Sequence, residues 1–148
     1  KLFVKKGNPL LGICLGMQIL FDESEELGIN TGLGFMQGRV ELIKNYLGDD
    51  INNIVRRIPH IGWSPIYNNK SDWDSKIFKN IDKNDFFYFV HSFICKTVSD
   101  DIIIACTNYN HLEIVAAVES ENIIGLQFHP EKSSLIGLKV IENFINLY

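Results

Sequence analysis

A cysteine between two glycines is the clearest candidate for chemistry in this sequence. Residues Gly12-Ile13-Cys14-Leu15-Gly16 form a G-x-C-x-G pattern between an apolar segment and a predicted helix. The pattern is typical of a nucleophile elbow with sulfur in place of oxygen, where a strained turn presents the nucleophile. We expect the helix N-terminus to favour the Cys14 thiolate and the Leu15 N–H to face a developing oxyanion. A buried structural cysteine is the alternative interpretation.

A histidine and a carboxylate near the C-terminus could supply the base for this thiol. His129-Pro130-Glu131 follows an apolar strand, and the H-x-E spacing allows the carboxylate to reach the far ring nitrogen. Such a contact fixes the imidazole tautomer and stabilises the imidazolium. A surface histidine beside a helix-capping glutamate is the alternative. The four histidines have no ligand spacing along the chain, so no metal site is expected.

Composition limits the classes of partner. The chain has 148 residues, of which 46% are apolar and 22% are charged, and this predicts one globular domain. The formal charge is −4 and no basic run exceeds two residues, so no nucleic-acid partner is expected. No apolar run is long enough to span a membrane. Cys14, Cys95 and Cys106 lack C-x-x-C spacing, which favours free thiols in a reducing cytoplasm.

The hydrophobic pattern predicts strands in the middle of the chain and helices near its ends, hence an α/β fold. Strands are predicted over 9–14, 35–43 with a bulge at Gly38, 86–90, 102–106, 114–118 and 123–128, and an irregular or edge strand is predicted over 58–66. Helices are predicted over 16–21 and from Ser133 or Ser134 to about Leu147, with Leu135, Leu138, Ile141 and Ile145 along one side. Residues 1–7 are interpreted as the last turn of a helix, 22–34 as a loop, and 44–53 and 68–83 as polar connections.

Taken together, the motifs resemble the class I (triad) glutamine amidotransferases. The Cys14 segment with Met17 and Gln18, and the segments 59–63, 87–93 and 125–133, are similar to the glutaminase subunit of imidazole glycerol phosphate synthase. The resemblance covers residues 1–148. It implies a flavodoxin-like mixed sheet flanked by helices, and no cofactor is expected.

The resemblance also implies roles for individual residues. Cys14, His129 and Glu131 would hydrolyse glutamine to glutamate and ammonia through a glutamyl thioester, with Leu15 as an oxyanion donor. The implied glutamine-binding residues are Gln18, Glu26, Tyr88, Ser92 and Phe93. Trp63 and Lys132 match positions that face the partner, a synthase with a (β/α)8 fold. That partner would use the ammonia to form imidazole glycerol phosphate in histidine biosynthesis.

Two departures from the family pattern leave alternatives open. Family members begin upstream of Lys1, so we expect opening strands and a second oxyanion donor to precede this sequence, and the 148 residues alone to be poorly active. Ser64 stands where the family usually has Asn, which is compatible with a paralogue that aminates surface sugars. A cysteine peptidase or deglycase and a non-catalytic partner-binding subunit are the other hypotheses. Glutamine turnover and thiol alkylation distinguish them.

Overall fold

A computed structural model describes residues 1–47, 58–68 and 72–147. Its strands are β1 Leu10–Ile13, β2 Phe21–Ser24, β3 Asn30–Thr31, β4 Met36–Leu42, β5 His60–Pro65, β6 Phe86–His91, β7 Phe93–Thr97, β8 Ile103–Tyr109, β9 Leu112–Ser120 and β10 Ile123–Leu126. Its α-helices are α1 Leu2–Lys5, α2 Leu15–Gln18 and α3 Ser134–Leu147. This is the mixed α/β fold that the sequence predicts, although only α3 is longer than about one turn.

The sheet that positions the candidate chemistry has the strand order β1-β10-β9-β8. β1 and β10 are parallel, with Ile13 opposite Leu126, and the remaining pairs are antiparallel. The carboxyl ends of parallel strands meet at one edge of a sheet. The segments after β1 and β10, which carry Cys14 and His129, therefore leave the sheet at the same edge.

Two further sheets complete the described part of the chain. One has the order β3-β2-β4-β7, and the other is the two-stranded ribbon β5–β6. The bulge predicted at Gly38 is confirmed: the pairing of β2 with β4 shifts between Phe21 and Glu23, and Gly38 has φ 141°. The ribbon is joined to β8 by the Tyr67–Cys106 bridge just after β5 and by the Thr107 hydroxyl, which donates to the Pro65 carbonyl at 2.8 Å.

The largest core lies between the first sheet, the inner face of the ribbon and α3. Phe87 and Phe128 pack with ring centroids 4.4 Å apart, and Val140 of α3 is fully buried in the same cluster. Because β10 is buried at all four positions, it forms the centre of this core. The site at its carboxyl end is therefore built on a rigid element.

Several expected element boundaries are wrong. The helix predicted over 16–21 ends at Gln18, and Phe21 already begins β2, so the segment 22–34 contains strand residues of β2 and β3. Gly32 explains part of this, because a Cβ there would lie 2.1 Å from the carbonyl oxygen of Phe21. The backbones at Gly32 and Phe21 lie too close together for any residue larger than glycine at position 32. A glycine-rich segment predicted to be a loop therefore contains paired strands.

The expectation of a polar surface segment over 68–83 is also wrong in part. Ile77, Phe78 and Ile81 are buried in the main core, next to a short 3-10 helix over Lys76–Phe78. This part of the segment is buried despite its many polar residues, because the three apolar side chains pack under α3. Residues 69–71, and residues 48–53 of the other predicted connection, lie outside the described ranges.

Helix α3 has the predicted extent but not the predicted inner side. Leu135, Leu138 and Ile145 are exposed, whereas Gly137 and Val140 face the core. Apolar residues surround most of this helix, so periodicity alone allows more than one inner face. Close packing decides between them, because a Cβ on Gly137 would lie 2.0 Å from the carbonyl oxygen of Pro130. In the described ranges, no helix is long and apolar enough to cross a bilayer.

Candidate active site

Cys14 occupies a strained turn between β1 and α2. Its φ of 52° and ψ of −109° are rare for a residue with a side chain, and its N–H donates to the carbonyl of Leu126 at 2.7 Å. Helix α2 begins at the next residue, Leu15. Strain of this kind persists where the surrounding structure fixes it, and it concentrates at functional sites. The geometry is that of the nucleophile elbow expected from the sequence.

The two glycines of the motif differ in what they do. A Cβ on Gly12 would lie 2.5 Å from the carbonyl oxygen of Gly16, so the strand and the helix approach each other only because residue 12 is glycine. A Cβ on Gly16 would meet nothing within 4 Å. The close approach of strand and helix therefore requires glycine at position 12 but not at position 16.

This difference yields a matched pair of substitutions. Gly12→Ala is expected to destabilise the fold by about 1–3 kcal/mol, the usual cost of overpacking, because the new methyl group meets backbone. Gly16→Ala is expected to be neutral or to stabilise by up to about 1 kcal/mol, since alanine favours helices over glycine. Thermal unfolding of both variants measures this. Equal destabilisation by the two changes would contradict the packing of the elbow.

His129 is held by backbone and side-chain contacts at the carboxyl end of β10. Its Nδ1 lies 2.7 Å from Glu131 Oε1, and its N–H donates to the carbonyl of Tyr88 at 2.9 Å. A carboxylate only accepts hydrogen bonds, so in the neutral imidazole Nδ1 carries the proton and Nε2 has the lone pair. Nε2 is buried and has no hydrogen-bond partner within the described ranges. This nitrogen is therefore available to accept a proton from a nearby group.

A cavity of about 340 Å³ opens beside the Cys14 thiol. It is lined by Cys14, Leu15, Gln18, Glu26, Pro59, Val90, His91, Ser92 and Phe93. Five of the predicted oxyanion and glutamine-binding residues therefore lie together with Cys14. Sequence reasoning did not single out Pro59, Val90 and His91 for this site. Val90 and His91 lie inside the 87–93 segment, so this segment was the available signal.

Gln18 is a buried element of the cavity wall. Its Nε2 donates to the carbonyl of Phe93 and to Gln127 Oε1, at 3.2 Å in each case. Gln127 is fully buried, and its Nε2 lies 3.8 Å from Cys14 Sγ. Gln127 was not among the predicted site residues, although it belongs to the 125–133 segment. The amide pair links the wall of the cavity to the thiol.

Tyr88 is placed differently from the expectation, because it is absent from the cavity lining. Its ring packs edge-on against Trp63, with centroids 6.1 Å apart, on the outer face of the ribbon β5–β6. Ile61, Trp63 and Phe86 on this face are about half exposed, at 57%, 50% and 54%. Tyr88 serves the site through its backbone, which binds the His129 N–H. The outer ribbon face is an apolar surface next to the cavity.

Burial raises the pKa of the Cys14 thiol above its ordinary value. The Leu15 N–H lowers that pKa as expected, but Glu131 and Glu26 raise it further. The N-terminus of α2 therefore favours the thiolate as expected, but burial of the thiol has the larger effect on its pKa, so Cys14 is protonated in the free protein. In this structure Cys14 Sγ instead donates to the carbonyl of Val90 at 3.7 Å.

The raised pKa predicts how Cys14 reacts with iodoacetamide. Only the thiolate reacts, so a pKa above the ordinary value means that the rate rises about tenfold per pH unit from pH 7 to 9 without levelling off. Peptide mapping by mass spectrometry follows Cys14 separately from Cys106, whose pKa burial raises to about 11. A plateau of the Cys14 rate below pH 8 would contradict this prediction.

No group of three or more His, Cys, Asp or Glu side chains is placed to bind a metal ion in the described part of the chain. The model of the class-I glutamine amidotransferase family matches residues 1–147. The chain belongs to this family. Its Cys14 elbow and its His129–Glu131 pair are thus features of an amidotransferase domain.

Comparison with individual proteins gives a more specific similarity than the family match. The chain is 44% identical over 144 residues to the imidazole glycerol phosphate synthase subunit HisH of Pyrococcus furiosus, covering 97% of this chain and 68% of that protein. It is 42% identical to the subunit of the same name from a Geobacillus species, covering 97% of this chain and 64% of that protein. The chain thus spans about two thirds of the length of these relatives. In fold it is similar to the solved structure of PurLQS from Thermotoga maritima, with a TM-score of 0.60, 23% identity, and 98% and 64% of the two chains covered.

Proposed function

We propose that this chain is the glutaminase domain of an imidazole glycerol phosphate synthase, and that it releases ammonia from glutamine. The observation that carries the chemistry is the buried Nε2 of His129, which has no hydrogen-bond partner among the described residues. His129 follows β10 at the same edge of the sheet at which the strained Cys14 follows β1. The 44% identity to a HisH subunit over 97% of the chain supports the choice of synthase.

Cys14 is the nucleophile and His129 is the base. Cys14 Sγ attacks the carboxamide carbon of glutamine while His129 Nε2 takes the thiol proton, which leaves a negative charge on the carboxamide oxygen. The Leu15 N–H stabilises this oxyanion. Because the free thiol stays protonated, proton transfer to His129 accompanies the attack. Glu131, 2.7 Å from Nδ1, stabilises the imidazolium that forms.

The proton on His129 then leaves with the nitrogen. His129 donates it to the amide nitrogen, the carbon–nitrogen bond breaks, and ammonia departs from a glutamyl thioester on Cys14. Water activated by His129 attacks the thioester carbon, and the carbon–sulfur bond breaks to give glutamate and the Cys14 thiol. One glutamine and one water give one glutamate and one ammonia.

The cavity provides the remaining substrate contacts. The Glu26 carboxylate lines the cavity and suits the α-ammonium group of glutamine. Gln18, Ser92 and Phe93 form another part of the cavity wall and limit the length of the side chain that reaches Cys14. Such a wall favours the small amide side chain of glutamine over a bulkier peptide.

The outer face of the ribbon is the proposed surface for the synthase partner, a (β/α)8 barrel that takes up the ammonia. Trp63, Tyr88 and Ile61 form an exposed apolar surface of the kind that marks protein interfaces. Lys132 adds an exposed cation just after His129. The reaction runs in the cytoplasm as part of histidine biosynthesis, where a reducing environment preserves the thiol of Cys14.

The test measures glutamate release from glutamine, with and without the synthase partner of the same organism, on the full-length protein that contains this domain. We expect release that rises in the presence of the partner. The partner alone is expected to form imidazole glycerol phosphate from ammonium salts, and to do so from glutamine only when this protein is added. The assignment would be contradicted by a partner that forms imidazole glycerol phosphate from ammonium salts but forms none from glutamine when this protein is added.

A further inference from the structure

A row of buried polar side chains crosses the inner face of the ribbon β5–β6. Ser64 Oγ lies 2.9 Å from His60 Nε2, and His60 Nδ1 lies 3.0 Å from His91 Nε2. His91 Nδ1 lies 2.8 Å from the carbonyl oxygen of Phe93. His60 and His91 are direct neighbours in the antiparallel register of the two strands. The row therefore runs without interruption from the ribbon to a residue that lines the cavity.

The burial of this row needs an explanation. His60, His91 and Ser64 are exposed by only 1%, 6% and 8%, and the His60 ring is stacked between Phe89 and Tyr109 at centroid distances of 4.8 and 4.1 Å. Apolar residues could fill these positions without the desolvation cost that polar groups incur. Burial lowers the pKa of His60 to about 3 and that of His91 to about 4, so both rings are neutral.

Neutral rings give the row a single direction. The carbonyl of Phe93 only accepts, so His91 Nδ1 carries the proton and His91 Nε2 accepts. His60 Nδ1 must then donate to His91 Nε2, which leaves His60 Nε2 to accept from the Ser64 hydroxyl. Each polar atom has one role, and no other assignment of protons satisfies all three contacts.

The same carbonyl connects the row to the nucleophile. Phe93 O also accepts from Gln18 Nε2 at 3.2 Å. Gln18 Nε2 lies 3.2 Å from Gln127 Oε1, and Gln127 Nε2 lies 3.8 Å from Cys14 Sγ. The position of the Phe93 carbonyl therefore sets the position of the two amides that stand between the cavity wall and the thiol.

We propose that His60 and His91 are positioning residues for the glutamine cavity, which they shape by holding the Phe93 carbonyl and, through it, the Gln18 side chain. The inference rests on the proposed glutaminase function for its kinetic consequence, but the proton arrangement stands independently of that function. His60 is absent from the cavity lining, and both ring nitrogens of His91, which does line the cavity, are engaged in the row, so neither ring is assigned a step in the reaction. Their loss misplaces the wall that receives glutamine and leaves the Cys14 elbow and the His129–Glu131 pair in place.

The first test determines which ring nitrogen of each histidine carries the proton. Two-bond ¹H–¹⁵N correlation spectra of the full-length wild-type protein at neutral pH report the tautomer of each histidine. We expect the Nδ1–H tautomer for both His60 and His91. An Nε2–H tautomer or a charged ring at either position would overturn the proposal. This result does not depend on whether glutamine is the substrate.

The second test compares two substitutions that both remove the His91 ring. His91→Asn keeps a donor near the former Nδ1, whereas His91→Leu does not. We expect KM for glutamine to rise about tenfold or more in His91→Leu, the size of effect that follows from losing a buried hydrogen bond, with kcat changed less than about threefold. For His91→Asn we expect KM to lie between the value of the wild type and that of His91→Leu, at least about threefold below the latter. Thermal unfolding shows whether the two variants are equally folded.

His60→Phe provides a second variant should His91→Leu fail to fold, since phenylalanine keeps the stacking on Phe89 and Tyr109 but donates nothing to His91. We expect it to raise KM in the same way as His91→Leu. An unchanged KM in the folded variants, or an equal rise in His91→Asn and His91→Leu, would overturn the proposal. Absence of glutamate release from the wild type would instead contradict the proposed function.

Discussion

Replacing Cys14 with alanine is expected to lower glutamate release by about 10⁴-fold or more, because loss of the nucleophile removes the covalent route entirely. The fold should survive. Among the described residues, the side-chain hydrogen bonds of Cys14 Sγ are weak ones, to the Val90 carbonyl at 3.7 Å and from Gln127 at 3.8 Å. Steady-state glutamate release and thermal unfolding, measured on the same preparation, separate loss of chemistry from loss of structure.

Cys106→Ala is the matched control for this variant. Cys106 is also a free, partly buried cysteine, but it lies on β8 and lines a different cavity. We expect it to keep glutamate release within about threefold of the wild type, as is usual for a conservative change away from the site. Cys14→Ala with activity close to that of Cys106→Ala would mean that another group attacks the substrate.

Local sequence patterns predict the two halves of the candidate site because each depends on a short segment. The elbow at Cys14 needs a strand, a tight turn and a close approach at Gly12, all within five residues. His129 and Glu131 meet across two residues. The family resemblance predicts that the two halves belong to one site. The parallel pairing of β1 and β10 gives the physical reason, because both halves follow strands that end at the same edge of the sheet.

Features that depend on register between distant segments are not predictable in this way. His60 and His91 are 31 residues apart, and only the antiparallel register of β5 and β6 places them opposite each other. A search for metal-ligand spacing along the chain overlooks a histidine pair that shares a proton. The inner face of α3 is a similar case, because the contact of Gly137 with Pro130 decides it rather than the apolar pattern.

Replacing His129 with asparagine is expected to lower glutamate release by about 10³–10⁴-fold, since the free thiol is protonated and asparagine cannot accept its proton. Burial keeps the pKa of Cys14 high, and His129 Nε2 is the buried base atom at this edge of the sheet. Alkylation of Cys14 by iodoacetamide should change little, because the thiol donates to Val90 rather than to His129 in the free protein. Measuring both rates on one variant separates the attack on glutamine from simple thiol reactivity.

His111→Asn is the control for this change. His111 is exposed and has φ 65°, a conformation that asparagine tolerates, so this variant tests removal of an imidazole away from the cavity. We expect its glutamate release to equal that of the wild type. If His129→Asn retains glutamate release within about tenfold of His111→Asn, His129 is not the base. If it also loses iodoacetamide reactivity, His129 sets the thiol pKa in the free protein, and the role of burial at Cys14 must be revised.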